Sequence, residues 1–258
     1  LGGMLKCAEH GYRMIVELID THSDHVEREL SAAIAPVQPD GIILTPPHSD
    51  NPQIVGFLAE QKILFARIGS QDGEMGIPIS MDDAGSARMA TRHLLGLGHR
   101  RIGFIAGPAE YRLSGWRVDG WRAAMAEAGL EHAGLLAEGD FSYGSGAQAA
   151  HRLLSAPVRP SAIIASNDQM ALATLDTARE MGLVVPRDLS VISFDNTPLA
   201  HFAQPSLTAI DQPIAATASK AAELIIEGQR GAGPPPALTV ISASLVERET
   251  VARWPADG

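Results

Sequence analysis

Ala162-Ile163-Ile164-Ala165-Ser166-Asn167-Asp168-Gln169 and Leu189-Ser190-Val191-Ile192-Ser193-Phe194-Asp195-Asn196 are two short apolar runs that each end abruptly in amide and carboxylate side chains. Between them, Met170 to Met181 has helical spacing and Gly182 supplies the stop. Strand, helix, strand is the crossover unit of a parallel sheet. In open α/β sheets ligands lodge in the crevice outside the carboxyl ends of the strands. The pattern therefore points Asn167 and Asp195 into one pocket.

Outward from this unit the same rhythm continues. Strands are predicted at Met14–Ile19, Gly41–Thr45, Ile63–Ile68, Ile77–Met81, Arg101–Ala106, Leu135–Glu138, Leu207–Ile210 and Thr239–Val246. Helices are predicted at Asp24–Ala35 with Ser23 or Asp24 as N-cap, and at Pro52–Glu60, Asp83–Leu97, Arg117–Ala128, Gly146–Leu154 and Pro213–Glu227. There is room for two such sheets, with a natural break near Met81-Asp82. Leu1, Leu5 and Ala8 share a helical face before the first predicted strand, so the start reads as a βαβ unit lacking its first strand.

Composition narrows the class. The 258 residues are 45% hydrophobic and 19% charged, ordinary for a globular protein of one large or two modest domains. No apolar run approaches membrane-spanning length. A net charge of −10, with His99-Arg100-Arg101 the sole basic cluster, argues against this segment gripping nucleic acid by itself. The single cysteine, Cys7, excludes an internal disulfide and a cysteine-based zinc cluster. It fits a reducing compartment.

Polar residues collect at the predicted strand exits: Thr45, Arg67 to Ser70, Asp82, Pro108, Asp140-Phe141, Asn167-Asp168 and Asp195-Asn196. Arg117 opens a predicted helix shortly after a strand. If two sheets present these ends to each other, one cleft collects them all, with chemistry suited to a small polyhydroxylated molecule. A carboxylate such as Asp195 accepts from hydroxyls, Arg117 offers a rigid fork of donors, and Asn167 does both. Phe141 or Trp116 offers a flat apolar surface. Structural roles stand beside each of these: Asp195 as a turn residue, Asn167 or Asp168 as a helix cap, Arg117 on a solvated helix face, Phe141 in the core. Dinucleotide, Walker A, nucleophile-elbow and zinc spacings are all absent, and no catalytic constellation or cofactor motif emerges.

Gly96-x-Gly98-His99-Arg100-Arg101-Ile102 followed by Ala106-Gly107-Pro108 resembles the entry to the second lobe of LacI/GalR-family transcriptional regulators. So do Arg117-x-x-Gly120-Trp121, Glu138-Gly139-Asp140-Phe141, Ser166-Asn167-Asp168-Gln169-Met170-Ala171 and Ser193-Phe194-Asp195-Asn196. Pro205-x-Leu207-Thr208-x-Ile210-x-Gln212-Pro213 and Leu245-Val246-Glu247-Arg248-Glu249-Thr250 complete the ordered match.

This resemblance implies a type I periplasmic-binding-protein-like α/β fold: two lobes, each a parallel sheet flanked by helices, with three crossovers. Residues 1–81 plus 212–241 would form the N-terminal lobe, its first strand missing, and 82–211 plus 242–258 the C-terminal lobe. The effector contacts implied are Arg117, Phe141, Asn167, Asp195 and, at a hinge, Gln212, and further Met81 and Thr45. An inward Arg67 would add a positive group favouring an acidic sugar or other anion, unless it faces solvent or pairs with an acid. The function implied is that of the effector-binding and dimerisation domain of a cytoplasmic, non-enzymatic regulator. A sugar-like effector bound in the cleft would alter operator binding, made through a helix-turn-helix absent from this chain. No metal, cofactor or membrane is involved. A periplasmic sugar-binding protein is the nearest rival, and an α/β enzyme a more distant one.

Overall fold

A computed structural model describes residues 1–20, 23–73, 75–231 and 233–255. In chain order its elements begin with α1 (Gly2–Glu9), α2 (Val26–Ile34), β1 (Ile42–Leu44), a 3-10 turn (His48–Asp50), α3 (Pro52–Glu60), β2 (Phe65–Ile68) and β3 (Ile77–Ser80). They continue with α4 (Asp83–Gly96), β4 (Ile102–Ala106), α5 (Arg112–Glu127), β5 (Leu136–Glu138), α6 (Tyr143–Leu154), β6 (Ala162–Ala165), α7 (Asp168–Glu180) and β7 (Ser190–Asp195). The last are α8 (Pro198–Phe202), β8 (Thr208–Asp211), α9 (Ile214–Gln229), β9 (Thr239–Val240) and β10 (Ser244–Val246). The chain divides into two compact units. The first holds Leu1–Met81 and Pro213–Ser242; the second holds Asp82–Gln212 and the described part of Ala243–Gly258.

The sheet of the first unit has the order β1-β2-β3-β9, all parallel. Strands β2 and β3 are buried throughout, as expected where helices cover both faces of a parallel sheet. The sheet of the second unit has the order β10-β8-β7-β6-β4-β5, parallel except for β10, which runs antiparallel to β8. Alternate residues of its central strands serve opposite cores. Ile105, Ile163, Ala165 and Val191 pack with α6 and α7, whereas Phe104, Ile164, Ile192 and Phe194 pack with α4 and α5 around Trp121 and Met125. Gly120 lets α4 and α5 touch backbone to backbone, because a Cβ there would stand 2.0 Å from the Ala84 carbonyl oxygen.

Several local expectations are corrected. Met14–Ile19 forms no strand: it has no ladder partner among the described residues, and Ile15, Val16 and Leu18 are exposed. A strand is a paired state, so alternation without a neighbour leaves only extended chain. Neither Ser23 nor Asp24 caps α2, which starts from His25. Helix α5 begins at Arg112, so Arg117 lies inside it rather than at its opening. The predicted strand Thr239–Val246 is divided, β9 joining the first sheet and β10 the second.

Candidate functional site

Arg117 lies on the stripe of α5 that also carries Leu113 and Trp121, four residues apart on a helix face that is buried. It is only 3% exposed. Its Nε donates to Asp83 Oδ1 at 2.7 Å and its Nη1 to the Ser166 carbonyl at 2.7 Å, while the guanidinium lies 4.5 Å from the Phe194 ring centroid. The other amino group, Nη2, has no partner among the described residues and is not sealed from solvent. The carboxylate doublet that opens α4 divides the work: Asp82 caps the helix through the Gly85 N–H, and Asp83 turns inward to the arginine.

Asp195 is the last residue of β7, and its Cα register partner is Asp211 of β8. Its carboxylate takes no hydrogen bond from a described residue and is likewise not sealed from solvent. Burial pushes its pKa up to about 6; Arg117 opposes the rise, and the negative charges of Asp168 and Asp83 add to it. One spare donor and one spare carboxylate thus lie within electrostatic reach of each other.

Asn167 caps α7 by accepting the Met170 N–H at 2.9 Å and donates its own Nδ2 to the Phe141 carbonyl at 2.8 Å. The amide oxygen is thus spent on the cap, and an amide N–H on holding the Phe141 loop. The Phe141 ring is half-buried against the α6–α7 core and meets Tyr111 edge-on at 5.5 Å. Phe141 (φ +69°) and Asp195 (φ +95°) both occupy backbone conformations unusual for side-chain-bearing residues. Each costs on the order of 1–3 kcal/mol and persists only where the surroundings over-determine it. Such strain concentrates at functional sites.

The remaining expected residues are placed differently. Gln212 is buried and directly follows Asp211 at the end of β8. In the first unit, Thr45 is exposed just beyond β1 and Met81 is buried just beyond β3. Arg67 is 4% exposed, and its guanidinium is consumed within that unit. It donates to the Ser49 carbonyl at 2.6 Å, to Asp50 Oδ1 at 3.0 Å, to the Asp72 carboxylate and to the Met75 carbonyl at 3.2 Å. Two carboxylates of its own unit offset its charge, so the expected preference for an anion loses its basis. Among the described residues no group of three His, Cys, Asp or Glu side chains offers a metal site.

Residues 91–251 match the family of periplasmic binding protein-like domains. The HTH-type transcriptional regulator CelR of Thermobifida fusca is 31% identical over 97% of this chain and 74% of its own length. The chain belongs to the LacI/GalR family of transcriptional regulators. The HTH-type transcriptional repressor CytR of Escherichia coli K12 is 32% identical over 87% of the chain and 66% of the repressor. A CelR–cellobiose complex shares the fold with a TM-score of 0.87 and 30% identity, over 96% of this chain and 76% of that one. A LacI-family regulator from Chloroflexus aggregans gives 0.87 at 28% identity, over 98% of this chain and 91% of its own. The family assignment accounts for the two-lobed fold and its type I topology.

Sequence reading missed Asp83, the Ser166 carbonyl and the Tyr111–Phe141 edge contact. Asp83 alone left a signal: in an acidic doublet at a helix start only one residue is needed as cap, and the other is free to find a cation. No helix among the described residues is long and apolar enough to cross a membrane.

Proposed function

We propose that this chain is the effector-binding and dimerisation part of a LacI-type regulator and that its effector is a neutral sugar or sugar derivative. The observation that carries the proposal is that Arg117 keeps a spare Nη2 while Asp195, within its electrostatic reach, keeps a spare carboxylate. A hydroxyl both donates and accepts, so adjacent hydroxyls satisfy both groups at once. The half-buried Phe141 ring supplies apolar surface for a sugar face. The internal neutralisation of Arg67 supports a neutral ligand over a sugar acid. The CelR–cellobiose complex supports the sugar class.

The effector would act by differential affinity for two conformational states with different operator affinities, a coupling typically worth about 1–3 kcal/mol. Operator contacts would be made in the cytoplasm through a DNA-binding domain outside this chain. The net charge of −10 supports that division of labour. Two such chains would act as a homodimer. The relatives are regulators, and the proposal assigns no catalytic step.

Titration calorimetry of the chain with cellobiose, a panel of neutral mono- and disaccharides, and gluconate tests the reading. Binding of a neutral sugar, lost in Asp195→Asn, is the expected result. Binding of gluconate alone, or sugar binding untouched by Asp195→Asn, overturns it. Light scattering at micromolar concentration is expected to show a dimer.

A further inference from the structure

Asp195 is surrounded by residues that carry hydrogen bonds, while its own carboxylate carries none. Asn196, also left-handed at φ +57°, donates its Nδ2 to Asp211 Oδ1 at 2.8 Å and accepts from Arg248 Nη2 at 2.6 Å. Arg248 is itself anchored: its Nη1 donates to the Leu207 carbonyl at 2.6 Å and its backbone N–H to Thr208 Oγ1 at 2.9 Å. On the other side, the Thr197 N–H and hydroxyl both donate to Asp168 Oδ2, each at 2.7 Å. The two residues after Asp195 are thus tied to β8, to the chain beyond β10 and to the first turn of α7.

We infer that Asn196 is a positioning residue: braced between Arg248 and Asp211, it holds the strained backbone from which Asp195 presents its carboxylate to the ligand. The inference rests on the reading of Asp195 as a ligand-facing group. An amide suits the place because it accepts from the guanidinium and donates to the carboxylate at the same time. An aspartate there would repel Asp211, and a lysine or arginine would repel Arg248. Asparagine also tolerates positive φ better than most side chains. The brace explains how Asp195 remains unpartnered although Arg117 from α5, Asp83 from α4, Asp168 from α7 and Asp211 from β8 all carry charge nearby.

The test uses this chain with Asn196→Gly, which keeps positive φ open and deletes both bonds, and with Arg248→Met, which removes the Arg248 brace together with its bond to the Leu207 carbonyl. Circular dichroism confirms folding of each. The readouts are the pH titration of the Asp195 carboxyl by carbon NMR, with no ligand present, and calorimetry with cellobiose. In the unaltered chain the carboxyl is expected to titrate at about 6. In both variants the released carboxyl gains water and its midpoint falls toward the ordinary carboxylate range, and cellobiose affinity drops tenfold or more. Arg248→Lys, which restores a donor to Asn196, recovers part of the midpoint. An unchanged midpoint in both folded variants overturns the inference. Asp195→Asn separates the two layers. Undiminished neutral-sugar affinity in that variant, or no affinity of the unaltered chain for any neutral sugar of the panel, counts against the proposed function, whereas the ligand-free titration judges the brace alone.

Discussion

Each unit buries one arginine beside the carboxyl end of its parallel sheet, and the two are spent differently. In the first unit Arg67 gives its donors to Asp50, Asp72 and three backbone carbonyls, and two carboxylates surround a single positive charge. In the second, Arg117 gives Nε to Asp83 and Nη1 to Ser166 and keeps Nη2 spare, and its charge reaches the unpartnered Asp195. A buried arginine near a strand exit is therefore weak evidence of a binding site; the accessible donor left over is the stronger sign. Arg67 is internal scaffolding that happens to lie where a ligand group was expected. Arg117 is scaffolding at one end and available at the other.

The sharpest way to break this comparison is to remove Arg67. Arg67→Met takes the guanidinium away from Asp50, Asp72 and three backbone carbonyls, and cutting one partner out of a buried ion pair costs about 3–5 kcal/mol. Urea denaturation should show a loss of that size; a loss below about 1 kcal/mol would mean that Arg67 is not the keystone of its loops. Arg117 cannot be deleted cleanly either, since Asp83, only 1% exposed, would be left buried and charged. Arg117→Lys keeps the charge and forfeits the fork. It should weaken sugar binding at least tenfold, about 1.4 kcal/mol, and cost the fold about 1–2 kcal/mol. A variant that loses stability and keeps full affinity would make Arg117 the twin of Arg67.

Asp195 sharpens the contrast from the other side. Its pKa is raised to about 6 in the fold, chiefly by burial, against an ordinary value of 3.8. Between those values the native state holds a proton that the unfolded chain has released, so stability falls as pH rises through that window. Above pH 6 the protein carries the full cost of a buried, unpaired carboxylate. At roughly 1.4 kcal/mol per pKa unit, that cost is on the order of 3 kcal/mol before allowance for partial solvation. Asp195→Asn should therefore stabilise the free chain by about 1–3 kcal/mol at pH 7.5 and by nothing below pH 4, while abolishing sugar binding. Urea midpoints across that range check it, and a destabilised Asp195→Asn at pH 7.5 would make the carboxylate structural.

The scaffold was legible because strands buried on both faces read as unbroken apolar runs, such as Ile102–Ala106 and Ala162–Ala165. The placing of Asn167 and Asp195 on one unit followed from the same logic, since polar residues directly after such runs emerge on one edge. What stayed hidden was pairing. Asp83 lies 34 residues from Arg117, and Arg248 lies 52 from Asn196, so neither partnership leaves a local trace. The early start of α5 was hidden because its N-cap, Tyr111, makes no side-chain capping bond. Helix α8, five residues long, is too short to show a period.

The smallest effect sought concerns the aromatic part of the contrast, which the first unit's arginine lacks. Gly107 follows β4, and a Cβ there would stand 2.3 Å from the Phe141 ring and 2.7 Å from the Ser114 hydroxyl. Gly107→Ala must push the ring aside, because the Asn167 bond pins the Phe141 backbone and leaves its side chain as the part able to give. Overpacking of this kind costs about 1–3 kcal/mol in a rigid core. A half-buried ring can swing toward solvent, so the cost here should lie near the lower end, about 1 kcal/mol. If Phe141 covers a sugar face, affinity should fall severalfold while the Asp195 titration stays in place, because Asn196 and Arg248 are untouched. Equal affinity in Gly107→Ala would reduce the ring to core packing and leave the Arg117–Asp195 pair to carry recognition by itself.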